Sequence, residues 1–229
     1  MIETHEIEIA RHCISFACAN GADSARVNLN KSSIDSCNML NGELDKVTHA
    51  ADRSVYLYLY VDGKYGTFST SMLEKDKLED FILKAIDMVR MLGEDLCRKL
   101  PDPSRTEKDA KTGRELGLYD EALENSDSDS RLARAKAMSI WHNYRESSDG
   151  IFAMLSEECE YSESYDDSIT IDSQGFEGRH TESAFSFFAE VTIQDNEGNR
   201  YSGYWWDTTP RKAAADPAEC RRKALERAV

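Results

Sequence analysis

The stretch VYLYLYVDGKYGTFST, residues 55–70, alternates aliphatic and tyrosine side chains and then turns at Asp62-Gly63. A two-residue Asp-Gly turn accepts the positive φ of a tight hairpin and so fixes the pairing. Val61 then faces Lys64, Tyr60 faces Tyr65, Leu59 faces Gly66, Tyr58 faces Thr67 and Leu57 faces Phe68. One face of the hairpin is Val55, Leu57, Leu59, Val61 and Phe68, a surface that a helix must cover. The other is Tyr56, Tyr58, Tyr60, Tyr65 and Thr67, apolar in body with hydrogen-bonding tips. Cross-strand aromatic pairs stabilise such a hairpin by roughly 0.2–1 kcal/mol each. The tyrosine face is therefore either a half-exposed sheet surface or a docking face for another chain, domain or peptide.

The covering helix follows directly. Leu78, Phe81, Ile82, Ala85, Val89 and Leu92 form one stripe over residues 74–92, and Ser71-x-x-Glu74 has the spacing of a capping box. Upstream, Ile7, Ala10, Ile14, Ala17 and Cys18 share a face of a helix over residues 4–20, stopped at Asn20-Gly21. Strands are expected over 24–30, 33–40 and 43–50, the last two joined at Asn41-Gly42. Residues 93–130 turn polar, with PDPSRTEKDAKTGRE as an exposed connector. A third helix is expected over 130–146 with Ala133, Ala137, Ile140, Trp141 and Tyr144 on one face. Strands at 151–161, 168–173, 176–194 (bent or bulged) and 200–207 precede a last helix, which Asp216-Pro217 starts as N-cap and first residue.

Both halves thus read helix, antiparallel strands, helix, and both carry a glycine turn near a tyrosine: DGKYG at 62–66 and EGNRYSG at 197–203. The expected fold class is α+β, two similar units of antiparallel sheet flanked by helices through a suspected duplication. The expected division is an α+β domain at 1–100, a polar connector at 101–129 and a second α+β domain at 130–229.

A net charge of −15 over 229 residues and the lack of a basic stripe argue against direct nucleic-acid binding. No apolar run of membrane-spanning length occurs and the N-terminus lacks signal-peptide character, so a cytoplasmic protein without membrane contact is expected. The six cysteines form no C-x-x-C pair and read as reduced structural thiols.

Motifs for chemistry are few. His5, His12, Cys13 and Cys18 share a helix but lack metal-ligand spacing, and no H-E-x-x-H, G-x-S-x-G or phosphate loop occurs. EECEYSESYDD, residues 157–167, lacks the order of a calcium loop and reads as a solvated strand-edge run. No catalytic and no metal-binding residue is therefore expected. Arg179 and His180 in GFEGRHTES are candidate polar site residues, and His180 also reads as an ordinary exposed strand residue. In YWWD, Trp205 and Trp206 point to opposite faces of a strand, one toward the core and one half-exposed as an interface anchor. Tyr56, Tyr58, Tyr60, Tyr65, Arg179, His180, Trp205 and Trp206 are the candidate peptide or subunit contacts.

The order of these features resembles the TldD/PmbA family, the modulator-of-gyrase proteases. The resemblance runs through NGELDKVTHAADRSVYLYLYVDGKYGTFSTSML (41–73), the helix after it, Leu118-Tyr119-Asp120 at the connector's end, SQGFEG (173–178) and the terminal CRRKALERAV (220–229). SVYLYLY replaces the family's usual glycine-and-arginine strand, and SQGFEG stands where the family often has N-S-x-G. The family's third domain, which carries an H-E-x-x-x-H zinc site in the TldD branch, has no counterpart in this sequence. SQGFEG and YWWD are more similar to the PmbA (TldE) branch. The resemblance implies a non-metal-binding portion of a zinc-dependent peptidase assembly. The chain would supply substrate-chamber walls and contacts to a TldD-like subunit or a second copy, and would take unfolded peptides. It implies no cofactor in this chain, zinc in the TldD-like partner and no peptidase activity of the chain alone. The competing reading is a free-standing protein–protein interaction module.

Overall fold

The computed structural model describes residues 1–142, 144 and 152–229. Helix α1 (Thr4–Ala19) leads into strands β1 (Ser24–Leu40), β2 (Glu43–Val61) and β3 (Lys64–Thr70), then helix α2 (Lys75–Arg90). After the connector come α3 (Ser128–Met138), β4 (Phe152–Asp172), β5 (Glu177–Asp195), β6 (Arg200–Thr209) and a last helix, α4 (Pro217–Ala228). The strands hydrogen-bond in the order β3-β2-β1-β4-β5-β6. This is the expected α+β class, with antiparallel β2–β3 and β5–β6 pairs.

The β2–β3 register is the one the Asp-Gly turn dictates, from Val61 opposite Lys64 to Leu57 opposite Phe68. Asp62 and Gly63 both have positive φ, 51° and 70°, as a tight hairpin turn with two left-handed central residues requires. Asn41 and Gly42 repeat this at 51° and 82°.

Three strands are longer than the local pattern suggests. β1, β2 and β4 run unbroken for 17, 19 and 21 residues through the polar stretches left between the expected strands. None of the three contains a glycine or proline. Ladder hydrogen bonds come from neighbouring strands and do not depend on apolar side chains, so polarity alone does not end a strand. β5 is also regular, with buried odd positions from Thr181 to Ile193 and no sign of the expected bulge.

The helices differ in detail. No capping box forms at Ser71, and Glu74 is the N-cap of α2 without a side-chain cap. α2 buries Ile86 as well as Leu78, Ile82, Ala85 and Val89, whereas Leu92 lies beyond the helix and is exposed. α3 ends at Met138 because Ser139 adopts extended backbone, ψ 135°. Its buried face is Ala135 and Met138, while Ala133 and Ala137 face outward. Part of the expected continuation to residue 146 lies outside the described residues. Asp216 caps α4 as expected, accepting from the Ala218 and Glu219 amides at 3.0 and 3.1 Å.

The chain divides into two compact units, each assembled from separate stretches. The first comprises Met1–Ser32, Ala51–Gly117 and Asp166–Glu182, and the second Ser33–Ala50, Leu118–Tyr165 and Ser183–Val229. In the first, Val27 and Leu29 of β1, Leu57, Leu59 and Val61 of β2, and Ile169 and Ile171 of β4 meet the stripes of α1 and α2. In the second, Cys37 and Met39, Cys159 and Tyr161, and Phe185, Phe187 and Ala189 meet α3 and α4. Gly203 lets α4 lie directly on β6, since a Cβ there would sit 2.4 Å from both the Ala224 carbonyl and the Ala228 amide. Among the described residues, no helix is long and apolar enough to cross a membrane.

Candidate functional site

The tyrosine face belongs to the first unit. Leu57, Leu59 and Val61 are buried, while Tyr58, Tyr60 and Tyr65 are half-buried and Tyr56 is exposed. Tyr60 and Tyr65 pack as a tilted pair 5.1 Å apart, and Arg98 lies over the Tyr65 ring at 5.4 Å. Thr67 Oγ1 donates to the Tyr65 hydroxyl at 2.8 Å. Burial, reinforced by Tyr65, pushes the Tyr60 phenol above its ordinary pKa, so it stays a hydrogen-bond donor at neutral pH. The face is a supported aromatic platform outside the hydrophobic core.

Arg179 and His180, adjacent in sequence, have separate duties in the same unit. Arg179 forms a bidentate pair with Asp167, Nε to Oδ1 at 2.8 Å and Nη2 to Oδ2 at 2.6 Å, and Nη2 also reaches the Ile2 carbonyl at 3.1 Å. Asp167 Oδ2 accepts from the Ile2 amide at 2.7 Å and Oδ1 from Thr181 Oγ1 at 3.1 Å. Burial would raise the pKa of this carboxyl, but the Arg179 guanidinium and the Ile2 amide hold it below its ordinary value. Arg179 is thus committed to fastening its own unit. His180 is half-exposed, with Nε2 3.1 Å from Glu182.

The connector runs alongside these residues. The Ala110 and Gly113 carbonyls accept from the Arg179 and Thr181 amides at 2.7 and 3.3 Å. Gly113 has φ +75°, and a Cβ there would lie 2.5 Å from the Thr181 nitrogen. The contact encloses a cleft of about 570 Å³ lined by Leu116, Phe176, Ser168, Thr170 and His180.

The acidic run at 157–167 is not a solvated edge. Glu157, Glu163 and Asp167 are buried at 1%, 2% and 1% exposure. All three occupy odd positions of β4, the face that also carries Cys159, Tyr161 and Ile169. In the second unit, Glu157 accepts from the Ile140 and Trp141 amides at 2.7 and 3.2 Å and from Ser139 Oγ. Glu163 accepts from the Tyr161 hydroxyl at 2.5 Å and pairs with Lys212 at 3.0 Å, with Arg131 at 3.7 Å. Donors from other elements meet these carboxylates, which local sequence does not display, although Glu163 Oε2 has no hydrogen-bond partner among the described residues.

The tryptophans divide as their alternation predicts. Trp205 packs against the second unit's core, its ring flanked by Lys223 at 4.5 Å and Arg227 at 4.4 Å, both from α4. Trp206 is 64% exposed beside Phe188, its partner across β5–β6. These two, with Glu160, Ser162, Ser186 and Thr208, line an open groove of about 330 Å³.

Potential metal ligands are dispersed. His12 faces Glu79 at 2.7 Å, His49 faces Asp35 at 2.9 Å, and His5 faces Glu3 at 3.3 Å. Burial pushes the Cys13 and Cys220 thiols up to about 11 and raises Cys159 as well, leaving them protonated and weakly nucleophilic. Among the described residues, no group of three or more His, Cys, Asp or Glu side chains is placed to hold a metal ion.

Comparison with known proteins gives a consistent picture. The sequence models for the PmbA/TldA metallopeptidase domain 1 and central domain match residues 25–89 and 114–229. A crystal structure of a protein designated a modulator of DNA gyrase from Bacteroides thetaiotaomicron is 30% identical, with TM-score 0.85 over 100% of this chain and 50% of that one. The corresponding Thermotoga maritima protein is 20% identical with TM-score 0.75, over 97% of this chain and 47% of its own. TldE from Thermococcus kodakarensis is 14% identical with TM-score 0.70, over 95% of this chain and 46% of its own. These last two show likeness of fold alone. No curated protein matches the sequence. The chain spans about half the length of these structural relatives. With family matches over both domains and a 30% identical relative that covers the whole of this chain, the chain belongs to the PmbA/TldD family.

Proposed function

We propose that this chain is a non-metal-binding part of a PmbA/TldD-type zinc peptidase assembly in the cytoplasm, where it forms substrate-chamber walls and subunit contacts. Family membership through both the first and the central domain carries this reading. The open sheet faces support it: Tyr56, Tyr58, Tyr60 and Tyr65 in one unit, and Trp206 with Phe188 in the other, offer aromatic surface with polar tips. Extended peptides suit such surfaces, since they pair with strand edges through the backbone while aromatic groups hold alternate side chains. SQGFEG (173–178) and YWWD (204–207) favour the PmbA/TldE branch, with the peptidase zinc held by a TldD-like partner.

The test is to purify the tagged chain from its native cell, identify what accompanies it and measure zinc and peptide cleavage. A TldD-like subunit carrying the zinc is expected, with no cleavage by the separated chain. One equivalent of zinc in the chain alone, with chelator-sensitive cleavage, overturns the proposal. Recovery with some other protein and no zinc favours an interaction module instead.

A further inference from the structure

Arg26, in β1 of the first unit, is a poorly satisfied cation. Its neighbours Ala25 and Val27 are fully buried in the core, so alternation puts Arg26 on the opposite, tyrosine-bearing face. Its side chain is 25% exposed, and Nη2 stops 3.7 Å from Asp172 Oδ2. Nε is buried without a hydrogen-bond partner among the described residues. Asp172 directs its other oxygen to the Gln174 and Phe176 amides at 2.9 and 3.1 Å. It therefore balances the charge of Arg26 without engaging its planar fork, the geometry that receives a carboxylate in two parallel bonds.

A second cation lies nearby. Arg98 sits over the Tyr65 ring and pairs at the exposed surface with Asp95 at 3.5 Å, and the electrostatic surroundings of Tyr60 include both Arg26 and Arg98. A chain of net charge −15 thus brings two guanidinium groups to its tyrosine face. That complementarity selects an anionic occupant, and the flanking rings suit apolar side chains beside the anion.

We propose that the tyrosine face of the first unit binds carboxylate-bearing segments of extended polypeptide, with Arg26 receiving the carboxylate and Tyr58, Tyr60 and Tyr65 packing against its neighbours. The inference rests on the peptide-binding reading above and adds a preference for acidic segments.

The experiment compares three hexapeptides by calorimetry on the full chain. One alternates valine and glutamate with both ends capped. The second replaces glutamate with glutamine, and the third is the glutamine peptide with a free C-terminus. The capped glutamate peptide is expected to bind about tenfold tighter than its glutamine counterpart, the scale of a charge-assisted hydrogen bond. Tight binding by the free-ended glutamine peptide alone supports the proposal too, and identifies the terminal carboxylate as the recognised group. Arg26→Gln should abolish the preference, and Arg26→Lys should restore part of it. Arg98→Gln, at an exposed side chain, should weaken the preference about twofold to fivefold even if Arg26→Gln fails to fold. Equal affinity for all three peptides overturns the acidic preference and leaves peptide binding standing. No binding of any of them overturns both.

Discussion

Replacing Asp167 with asparagine tests whether the buried acids of β4 hold the fold. Its side chain is fully buried, and Arg179 opposite is only 19% exposed. Oδ1 accepts from Arg179 Nε and Thr181 Oγ1, and Oδ2 from Arg179 Nη2 and the Ile2 amide. An asparagine keeps one acceptor oxygen and turns an NH₂ toward the remaining donors, whichever way the amide is flipped. It also leaves the guanidinium without a counter-charge. Breaking a buried pair from one side costs about 3–5 kcal/mol, a large share of the roughly 5–15 kcal/mol that stabilises a typical fold. Urea unfolding should show that loss as a lower midpoint. The double replacement Asp167→Leu with Arg179→Met should recover much of it, because an apolar pair leaves no charge stranded. The pH dependence has a definite sign. The folded pKa of Asp167 lies below its unfolded value of about 3.9, so its contribution is complete above that value and is lost as pH falls through the folded pKa. The asparagine variant should lack this component of acid destabilisation. A loss under about 1 kcal/mol, or an unchanged acid limb, would refute the reasoning.

Three further outcomes follow from the packing. Gly203→Ala should lower stability by about 1–3 kcal/mol, because α4 must lift from β6, whereas Gly93→Ala, with open space around it, should change little; thermal unfolding distinguishes them. Tyr161→Phe removes the hydroxyl that donates to buried Glu163 and should cost about 1–3 kcal/mol by urea titration. Trp205→Leu should destabilise the seat of α4 by at least about 1 kcal/mol, while Trp206→Ala should stay within about 0.5 kcal/mol and act only on binding.

The hairpin at residues 55–70 was fully legible in the sequence, down to its register. Strict alternation and a turn that tolerates two positive φ angles act locally and leave one pairing open. The Asp216-Pro217 start of α4 and the opposite placement of Trp205 and Trp206 were legible for the same reason. The acidic run was misread, although a signal was present. Glu157 and Glu163 share parity with Cys159 and Tyr161, so period two already assigns them to the buried face. Charge outweighed parity because the groups that justify burial were out of sight. Ile2 and Arg179 come to Asp167 from 165 residues before it and 12 after it, and Lys212 reaches Glu163 from the far end of the second unit.

The sequence by itself determined the hairpin at 55–70, the class and the aromatic faces, because periodicity and turn chemistry are short-range. Only the tertiary structure decided which charges are buried, how far each strand runs and which arginine keeps a buried nitrogen without a hydrogen bond. Arg179 and Arg26 show the difference: each is an arginine in a polar segment, yet one closes a buried carboxylate pair and the other faces the tyrosines with its fork unused. A hydrogen bond between residues far apart in the chain leaves no periodic trace, so its presence or absence appears only once the chain is folded.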